Sequence, residues 1–545
     1  MLAFPEKFPY GRGGFSDERP VMITPKKYFI QRVLNCDKRF ASDSHYLFFA
    51  QYVTEMKQIR DNITVAMRMT SGETMTAGLV SDAEHLRQLI KSDSAYQFLR
   101  NVRGSPPYFQ RAIKELIAMV AQIGCPHYFL TLSAADMTWP ELFRMIGQQN
   151  GRTFSDADIA ALSYEEKATM IRNDPVLVSR HFDHRLKAFF RDILIQSSTL
   201  GKVKDYFYRC EFQQRGSAHA HTLIWLEDGP DMKTAEKADI EAFFGSKISG
   251  QLPPVGDDMY PLVDRLQHHS HSVACRKGKK KDTCRFKFPR PPSDRTMLAE
   301  PACAECSTEE LRKWRAEILQ RVQDVLKNHD EHTKSSLDDI LHEAGVSSDD
   351  YHLALSTNTT GRSLILQRRP CDVNINNYNR TILSAWQANI DIQPVLDVYA
   401  CIFYIISYIT KDEREMGEVL RAAKKEYADK DIRTQMRKIG SVFLTHREVS
   451  AQEAVFRLLG LTMVKSTVKC VFIPADMPDS RVRILKSRSQ LEMLDRKSDV
   501  YMTGLVQRYI ARPQSLGDVC WLILASSSMS AMERGGRNRT TMMMM

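Results

Sequence analysis

The stretch EFQQRGSAHAHTLIWLED, residues 211–228, places two histidines one residue apart at the start of an apolar run. Side chains in a strand alternate between faces, so His219 and His221 point to one side of a sheet and Ala220 points to the other. The preceding run KVKDYFYRCEFQ has strand composition, and QRGSA between the two runs is a turn signal. The pattern predicts a β-hairpin that carries two imidazoles on one face.

Helical and strand patterns alternate on the N-terminal side of this hairpin. Helical spacing covers KKYFIQRVLN, HYLFFAQYVTEMKQIR and PPYFQRAIKELIAMVAQIG, the last of which ends at Gly124, a residue suited to a helix C-terminus. FLTLS, residues 129–133, follows as a short buried strand. The sequence therefore predicts an α+β fold in which helices flank an antiparallel sheet.

The composition is that of a globular chain of several domains, with 545 residues, 43% hydrophobic and 26% charged. A net charge of +10 favours an anionic partner, and CRKGKKKDTCRFKFPR, residues 275–290, holds eight Lys or Arg against one Asp. Eleven cysteines without a signal-peptide pattern indicate free thiols and a metal site in a reducing compartment. The most apolar segment, VLDVYACIFYIISYIT, contains an Asp and three tyrosines, which argues against a membrane span.

The histidine pair has a metal-binding interpretation and a structural one. Mg²⁺ or Mn²⁺ accepts imidazole together with an oxygen ligand and leaves positions for phosphate and water. Glu211 and Gln213 share a strand face, so either could supply that oxygen from the neighbouring strand. The alternative is a pair of hydrogen-bonded or solvated histidines at the rim of a sheet.

Tyr404 and Tyr408 in FYIISYITKDE are four residues apart, and Lys411 follows three residues later. On a helix the two phenols and the ammonium share one face, with about 5–6 Å between the tyrosine Cβ atoms. A cation or metal beside a phenol would stabilise the charge that develops when tyrosine attacks a phosphate. The alternative is an aromatic stripe packed in the core.

A third cluster lies in HHSHSVACRKGKKKDTC, residues 268–284. His269, His271, Cys275 and Cys284 have a spacing that suits a tetrahedral structural Zn²⁺, with His268 as an alternative to His269 and a separate CxxC at Cys303 and Cys306. The alternative is a solvated basic loop with unpaired thiols. The basic residues expected to contact DNA phosphates are Arg276, Lys277, Lys279, Lys280, Lys281 and Arg285.

Taken in order, several segments resemble the Helitron rolling-circle transposases, from roughly Met22 to Pro513: PHYFLTLSAADMTWPEL, DPVLVSRHFDHRLKAFFRDIL, EFQQRGSAHAHTLIWL, the Cys/His cluster and the tyrosine segment. The resemblance implies a helicase-like N-terminal region and an HUH (Rep) endonuclease core with FLTLS as its first strand motif. It implies a metal site formed by His219, His221 and Gln213. It also implies Tyr404 and Tyr408 as paired nucleophiles, with Lys411 as the basic residue that follows them.

The implied reaction is metal-dependent nicking and strand transfer on single-stranded DNA at transposon ends, through a 5′-phosphotyrosine and a free 3′-OH. The sequence has no G-x-x-x-x-G-K-[ST] motif, so unwinding is expected to come from a missing C-terminal part, from another protein or from nowhere. The chain is expected to be a truncated or degenerate element copy or an incomplete gene model. Competing interpretations are a non-catalytic nucleic-acid-binding remnant or domesticated element protein, and a metallohydrolase with the tyrosines in its core. The KGKKK run favours a nuclear location.

These patterns divide the chain into five segments. They are a helical N-terminal region (1–110), the Rep-like core (111–230), a basic Cys/His insert with a zinc module (231–310), a helical region with the two-tyrosine motif (311–440), and a C-terminal region that ends in a disordered tail (441–545).

Overall fold

The structure, a computed structural model, describes most of the chain but not all of it. The residues described are 3–66, 69–71, 99, 102–213, 216–272, 275, 284–301, 309–328, 335–358, 361–397, 422–423, 426–427, 432–473, 482–484, 505–521 and 539–544.

Helices begin and end where capping residues predict. Helix Pro106–Ile123 is typical: the Ser105 hydroxyl accepts from the Tyr108 N–H, proline occupies the first turn, and Gly124 at φ +85° ends the helix. None of the helices in the described ranges is both long enough and apolar enough to cross a bilayer. In chain order, the helices are α1 (Pro25–Val33), α2 (Ser44–Ala66), α3 (Pro106–Ile123), α4 (Pro140–Gln149), α5 (Asp156–Ala161), α6 (Tyr164–Asn173), α7 (Pro175–Ala188, continued by a π-helix at Phe189–Gln196), α8 (Lys237–Gly245), α9 (Tyr260–Gln267), α10 (Glu309–Asn328), α11 (Leu337–Ala344), α12 (Ser348–Ser356), α13 (Arg380–Trp386), α14 (Ile432–His446), α15 (Ala451–Leu459) and α16 (Leu505–Ile510).

The strands form one large sheet and three small ones. The large sheet has five strands, and every neighbouring pair is antiparallel; their order is β8 (Ile390–Pro394), β2 (Tyr128–Ser133), β4 (Ala218–Leu226), β3 (Val203–Phe212) and β9 (Val464–Ser466). The predicted α+β fold with an antiparallel sheet is therefore confirmed. The strands are β1 (Met69–Ser71), β2 (Tyr128–Ser133), β3 (Val203–Phe212), β4 (Ala218–Leu226), β5 (Met297–Pro301), β6 (Thr357–Asn358), β7 (Ser363–Ile365), β8 (Ile390–Pro394), β9 (Val464–Ser466), β10 (Val468–Ile473), β11 (Val482–Ile484) and β12 (Arg539–Met544).

The predicted hairpin is β3–β4, and β4 is the middle strand of the large sheet. Its even-numbered residues, such as Ala220 and Ile224, are fully buried in the main core together with Trp139 and Trp386. Its odd-numbered residues lie on the other face. There, Leu223 and Trp225 are covered by Leu116 and Met119 of α3, which leaves the end of β4 that carries the two histidines nearer to solvent.

Two strands of this sheet come from segments that the sequence analysis assigned elsewhere. β8 lies in the segment predicted to be a helical region with two tyrosines, and β9 lies in the predicted C-terminal region. Pro394, a residue type that is common in the first turn of helices, is here the last residue of β8. The sheet therefore joins parts of the chain that lie on both sides of the Cys/His insert.

Part of the segment that was expected to be a disordered tail forms a strand. Arg539–Met544 forms β12, which pairs in parallel with β10. The physical reason is composition: β10 is the apolar and β-branched run VKCVFI, and the Thr and Met residues of β12 can pair with such a strand.

A buried arginine holds together the loops that carry the sheet edge and the Cys/His cluster. Arg368 is 4% exposed, and its Nη1 donates to the carbonyl oxygens of Gly250 (2.8 Å), Asp372 (3.0 Å) and Ile375. Its Nη2 donates to Asn377 Oδ1 at 3.0 Å. These contacts fix residues 372–377, to which the segments around His269 and Arg290 are attached by backbone hydrogen bonds.

We expect Arg368→Met to lower the free energy of unfolding by about 2–4 kcal/mol, because it removes charge-assisted hydrogen bonds and leaves buried carbonyl groups unpaired. Urea denaturation followed by fluorescence measures the change. The matched control is Arg321→Met on the exposed side of α10, where Arg321 pairs with Glu317 of the same helix. An equal effect of the two substitutions would show that the buried contacts of Arg368 add nothing.

Candidate functional site

The two histidines of β4 are held by hydroxyl groups of β2. Ser133 Oγ lies 3.0 Å from His219 Nδ1, and Thr131 Oγ1 lies 3.1 Å from His221 Nδ1. The strand register produces both contacts, since Ser133 pairs with His219 and Thr131 with His221. Because a hydroxyl engages each Nδ1, Nε2 is the ring nitrogen through which either imidazole would bind a metal.

Glu211 of β3 completes a group of metal-type ligands around His221. Its Oε2 lies 3.1 Å from His221 Nε2, and in the strand register it pairs with His219. Burial opposes ionisation of this carboxyl, but the hydrogen bond from His221 and the charge of Arg209 outweigh it and hold the pKa of Glu211 below its usual value. Two neighbouring ligands on an octahedral Mg²⁺ with bonds of about 2.0–2.1 Å lie about 3 Å apart. The distance between Glu211 and His221 equals that of two such ligands, and it is also the distance of an ordinary hydrogen bond.

Gln213, the residue expected to be the oxygen ligand, lies one residue beyond the end of β3. Its side chain is exposed, and its backbone takes part in the tight hairpin turn: its N–H donates to Ser217 O, and its carbonyl accepts from Gly216. Strand parity puts Glu211 and Gln213 on one face, as the sequence analysis noted. The structure places Glu211, the other candidate, against the imidazole.

Asp391 of β8 is a site residue that the sequence analysis missed. It pairs with Thr131, which pairs with His221, so three neighbouring strands bring their side chains into one row. Its Oδ1 is buried and has no hydrogen-bond partner among the described residues. Burial raises the pKa of Asp391, although the hydrogen bond from Gln393 and the charge of Arg290 oppose the shift. The alternation in NIDIQP, with a carboxylate between two isoleucines, was the available signal.

The Cys/His cluster is assembled as its spacing predicts. The ligand atoms of His269, His271, Cys275 and Cys284 all lie within 4.8 Å of one another. Cys284 Sγ is 3.4 Å from His269 Nε2, and Cys275 Sγ is 3.5 Å from His271 Nδ1. In a tetrahedral Zn²⁺ site with Zn–S of about 2.3 Å and Zn–N of about 2.0–2.1 Å, nitrogen and sulfur are about 3.5 Å apart. The four groups therefore fit zinc as arranged.

His268, the alternative ligand, is directed elsewhere. Its Nδ1 lies 3.4 Å from Asp264, and its backbone forms a bridge with Ile375. His269 instead stacks on Phe288, with ring centroids 4.4 Å apart.

Arg290 connects the Cys/His cluster to the sheet. Its guanidinium lies 4.9 Å from the centroid of the Phe288 ring, the ring that His269 stacks on. Burial lowers the pKa of Arg290, while the charges of Asp391 and Cys284 act in the opposite direction. One cation is therefore close to both the cluster and the row of side chains that includes His221.

Several predicted site residues lie outside the described residues. They are the tyrosine-motif residues Tyr404, Tyr408 and Lys411, the basic residues Arg276, Lys277, Lys279, Lys280 and Lys281, and the CxxC residues Cys303 and Cys306. Arg285, the remaining basic residue, is described: its side chain is exposed, and its guanidinium lies 4.5 Å from the centroid of the Phe286 ring.

Residues 24–224 match the family model described as the Helitron helicase-like domain at the N-terminus. The chain therefore contains a Helitron-related domain. The match extends from α1 into β4 and includes Glu211, His219 and His221. Among curated proteins, none matches the chain. A Helitron-related domain implies interaction with nucleic acid, and beyond residue 224 the resemblance drawn from motifs stays a prediction.

We expect the charges of Arg290 and Asp391 to be coupled, because each affects the ionisation of the other from a buried position. Arg290→Met and Asp391→Asn should each lower the free energy of unfolding. The double variant should lose about 1 kcal/mol less than the two single losses added together. Denaturant unfolding of all four proteins measures this coupling. The exposed pair Lys313 and Glu309 of α10, changed to Met and Gln, is the control. Strictly additive effects at Arg290 and Asp391 would contradict the prediction.

Proposed function

We propose that this chain is the nuclease of a Helitron-type rolling-circle transposase, which nicks and transfers single-stranded DNA through a 5′-phosphotyrosine. The observation that carries the proposal is the arrangement of His219, His221 and Glu211 on the two paired strands at the centre of the sheet, inside the Helitron-related segment. Two imidazoles and a carboxylate on one face of two paired strands favour a Mg²⁺ or Mn²⁺ site.

His219, His221 and Glu211 would hold the cation, with Gln213 as the alternative oxygen ligand that the resemblance implies. When bound, the cation would polarise the scissile phosphate as a Lewis acid. Thr131 and Ser133 orient the imidazoles by bonding Nδ1, so the rings are positioned before a ligand arrives. The half-buried setting limits rotation of both rings.

The position of β8 is compatible with tyrosines that reach this site. β8 lies two strands from β4, a distance of about 10 Å, and Val395 just after it packs on the His-bearing face with α3. From Asp397, the last residue described before the tyrosine segment, seven residues lead to Tyr404, and they would span about 10 Å as a helix and at most about 25 Å when extended. Because β8 ends beside Tyr128 and Ile224, at the end of the sheet away from the histidines, a largely extended connection would be needed to return to them.

In the proposed reaction the phenol oxygen of Tyr404 or Tyr408 attacks phosphorus and loses its proton. The bond between phosphorus and O3′ breaks, and O3′ leaves with a proton as a free hydroxyl. No nucleotide is hydrolysed, since the new phosphotyrosine replaces the phosphodiester that was broken. Lys411 would stabilise the developing phenolate, and a second tyrosine would allow another cleavage while the first DNA end stays attached.

We also propose that His269, His271, Cys275 and Cys284 bind a structural Zn²⁺ that orders the basic loop between the two cysteines. The spacing of their ligand atoms supports this, as does the amide of Ser272, which donates to Cys275 Sγ at 3.2 Å and would stabilise a thiolate. The loop would then hold the DNA backbone without reading base sequence.

The proposed chemistry is tested with a 3′-labelled single-stranded oligonucleotide in the presence of Mn²⁺, because the strand that stays joined to tyrosine through its 5′-phosphate carries the 3′ end. The wild-type chain should form a covalent adduct that survives denaturing electrophoresis, and Tyr404→Phe/Tyr408→Phe should form none. Tyr399→Phe, in the same segment, is the control and should retain adducts. DNA binding without adducts in the wild type would favour the non-catalytic remnant, and cleavage by the double Phe variant would favour a metallohydrolase.

The metal site is tested by calorimetric Mn²⁺ binding. His219→Ala should abolish metal-dependent nicking while DNA binding persists. Glu211→Gln should weaken Mn²⁺ binding by about 10–100-fold, the range found when groups at a metal centre are changed. Gln213→Ala is the comparison: a larger loss there than in Glu211→Gln would identify Gln213 as the oxygen ligand.

The zinc site is tested by elemental analysis of purified protein. Cys275→Ser and Cys284→Ser should lose about one zinc per chain and lower the melting temperature, because metal binding contributes to folding. Cys371→Ser, a partly buried thiol outside the cluster, should keep the metal. Unchanged zinc content in both cluster variants would contradict the proposal.

A further inference from the structure

A polar cavity lies between α1, α2 and α15, and it shares no lining residue with the histidine site. Its volume is about 210 Å³. The residues that matter for its chemistry are Lys26, Thr54, Glu55, Arg103 and Arg457. A water molecule occupies about 30 Å³ in the liquid, so the cavity has room for a small polyatomic ion and several waters.

Two arginines at this cavity are already paired with carboxylates. Arg447 Nη2 lies 2.9 Å and Arg457 Nη1 lies 3.5 Å from the carboxylate of Glu55, which is 5% exposed. Arg457 Nε also donates to Glu453 at 2.9 Å. The two arginine charges balance the negative charges of Glu55 and Glu453. No net negative charge therefore remains to attract further cations.

Lys26 and Arg103 add positive charge without a carboxylate partner in the described part of the chain. A Cβ atom built on Gly460 would lie 3.2 Å from Lys26 Nζ and 3.9 Å from Arg103 Nη1, so the two cationic groups are close neighbours. Arg103 Nη1 donates to the carbonyl of Leu461 at 2.8 Å. Burial and the charge of Arg103 both lower the pKa of Lys26, as expected where cations are crowded without an anion.

Thr54 is a second, independent sign of a missing ligand. It lines the cavity and is 6% exposed, and its hydroxyl has no hydrogen-bond partner among the described residues. Buried hydroxyl groups are normally hydrogen-bonded. A ligand with acceptor oxygens would satisfy this donor and the neighbouring cations together.

We propose that this cavity binds a phosphate group, through Lys26, Arg103 and Arg457 and the hydroxyl of Thr54. A tetrahedral oxyanion accepts hydrogen bonds from several directions and balances the excess positive charge, whereas a metal cation would be repelled. The phosphate belongs to a DNA backbone or is a free phosphate group. A DNA backbone is the favoured source, because α15 lies next to the β3–β4 hairpin that carries the histidines. The two are so close that a Cβ atom added to Gly216 of the hairpin would meet the side chain of Gln452 of α15. The proposal does not depend on cleavage by tyrosine.

The test uses the full chain with inorganic phosphate, compared with chloride at equal ionic strength. Phosphate should raise the melting temperature saturably and bind measurably by calorimetry. Lys26→Met should weaken binding at least tenfold, and Thr54→Val, which leaves every charge in place, should weaken it several-fold. Lys27→Met, on the exposed side of the same turn, is the matched control and should bind like the wild type. Absence of a saturable phosphate effect, or equal binding by the Lys26 and Lys27 variants, would overturn the proposal.

A fluorescent single-stranded oligonucleotide distinguishes the two sources. If the phosphate belongs to DNA, Lys26→Met should weaken oligonucleotide binding more than Lys27→Met, and inorganic phosphate should compete. If the ligand is a free phosphate, only inorganic phosphate binding should change. Adduct formation by the wild type is measured separately, so failure of the phosphate site is distinct from failure of the nuclease.

Discussion

The pairing of β4 with β2 on one side and β3 on the other is the constraint on which the site depends. It places Ser133, His219 and Glu211 in one row and Thr131, His221 and Arg209 in the next. A slip of one residue would turn both histidines into the core and bring Ala220 to the open face. The slip is opposed by the fully buried Leu223 and Ile224 on opposite faces and by the hydrogen bond from Trp225 Nε1 to Gly124 O (2.8 Å).

Long-range closure of the sheet then brings distant segments to this site. β8 places Asp391 beside Thr131, although the two are far apart in sequence. The charge of Arg290, which packs on Phe288 beside the Cys/His cluster, lowers the pKa of the same carboxylate, and Arg368 fixes the loop to which the segments around Arg290 and His269 are attached. The cluster is therefore part of the surroundings of the histidine site and not a separate appendage.

Buried or partly buried charged groups occur at the histidine site, at β8 and at the cavity beside α15, and their charges are balanced in different ways. Glu211 is stabilised as an anion by His221 and Arg209, whereas Asp391 is shifted towards its neutral form by burial. At the cavity beside α15, two arginines pair with two carboxylates, and Lys26 and Arg103 add further positive charge. An incomplete balance of charge at a buried site is costly unless a ligand completes it, and phosphates and divalent cations are the ligands that a nucleic-acid enzyme encounters.

The sequence by itself determined the elements that depend on neighbouring residues. Helical periodicity and capping residues predicted α3 and its end at Gly124. Alternation and a turn signal predicted the β3–β4 hairpin. The spacing of His269, His271, Cys275 and Cys284 in the sequence predicted that these four side chains lie close together. Only the tertiary structure decided that β8 and β9 join the central sheet, that Asp391 stands beside Thr131, and that Glu211 rather than Gln213 touches His221. The physical reason is that strand parity fixes the face on which a side chain lies, whereas the partner of a strand and the point where it ends are set by packing between residues distant in sequence.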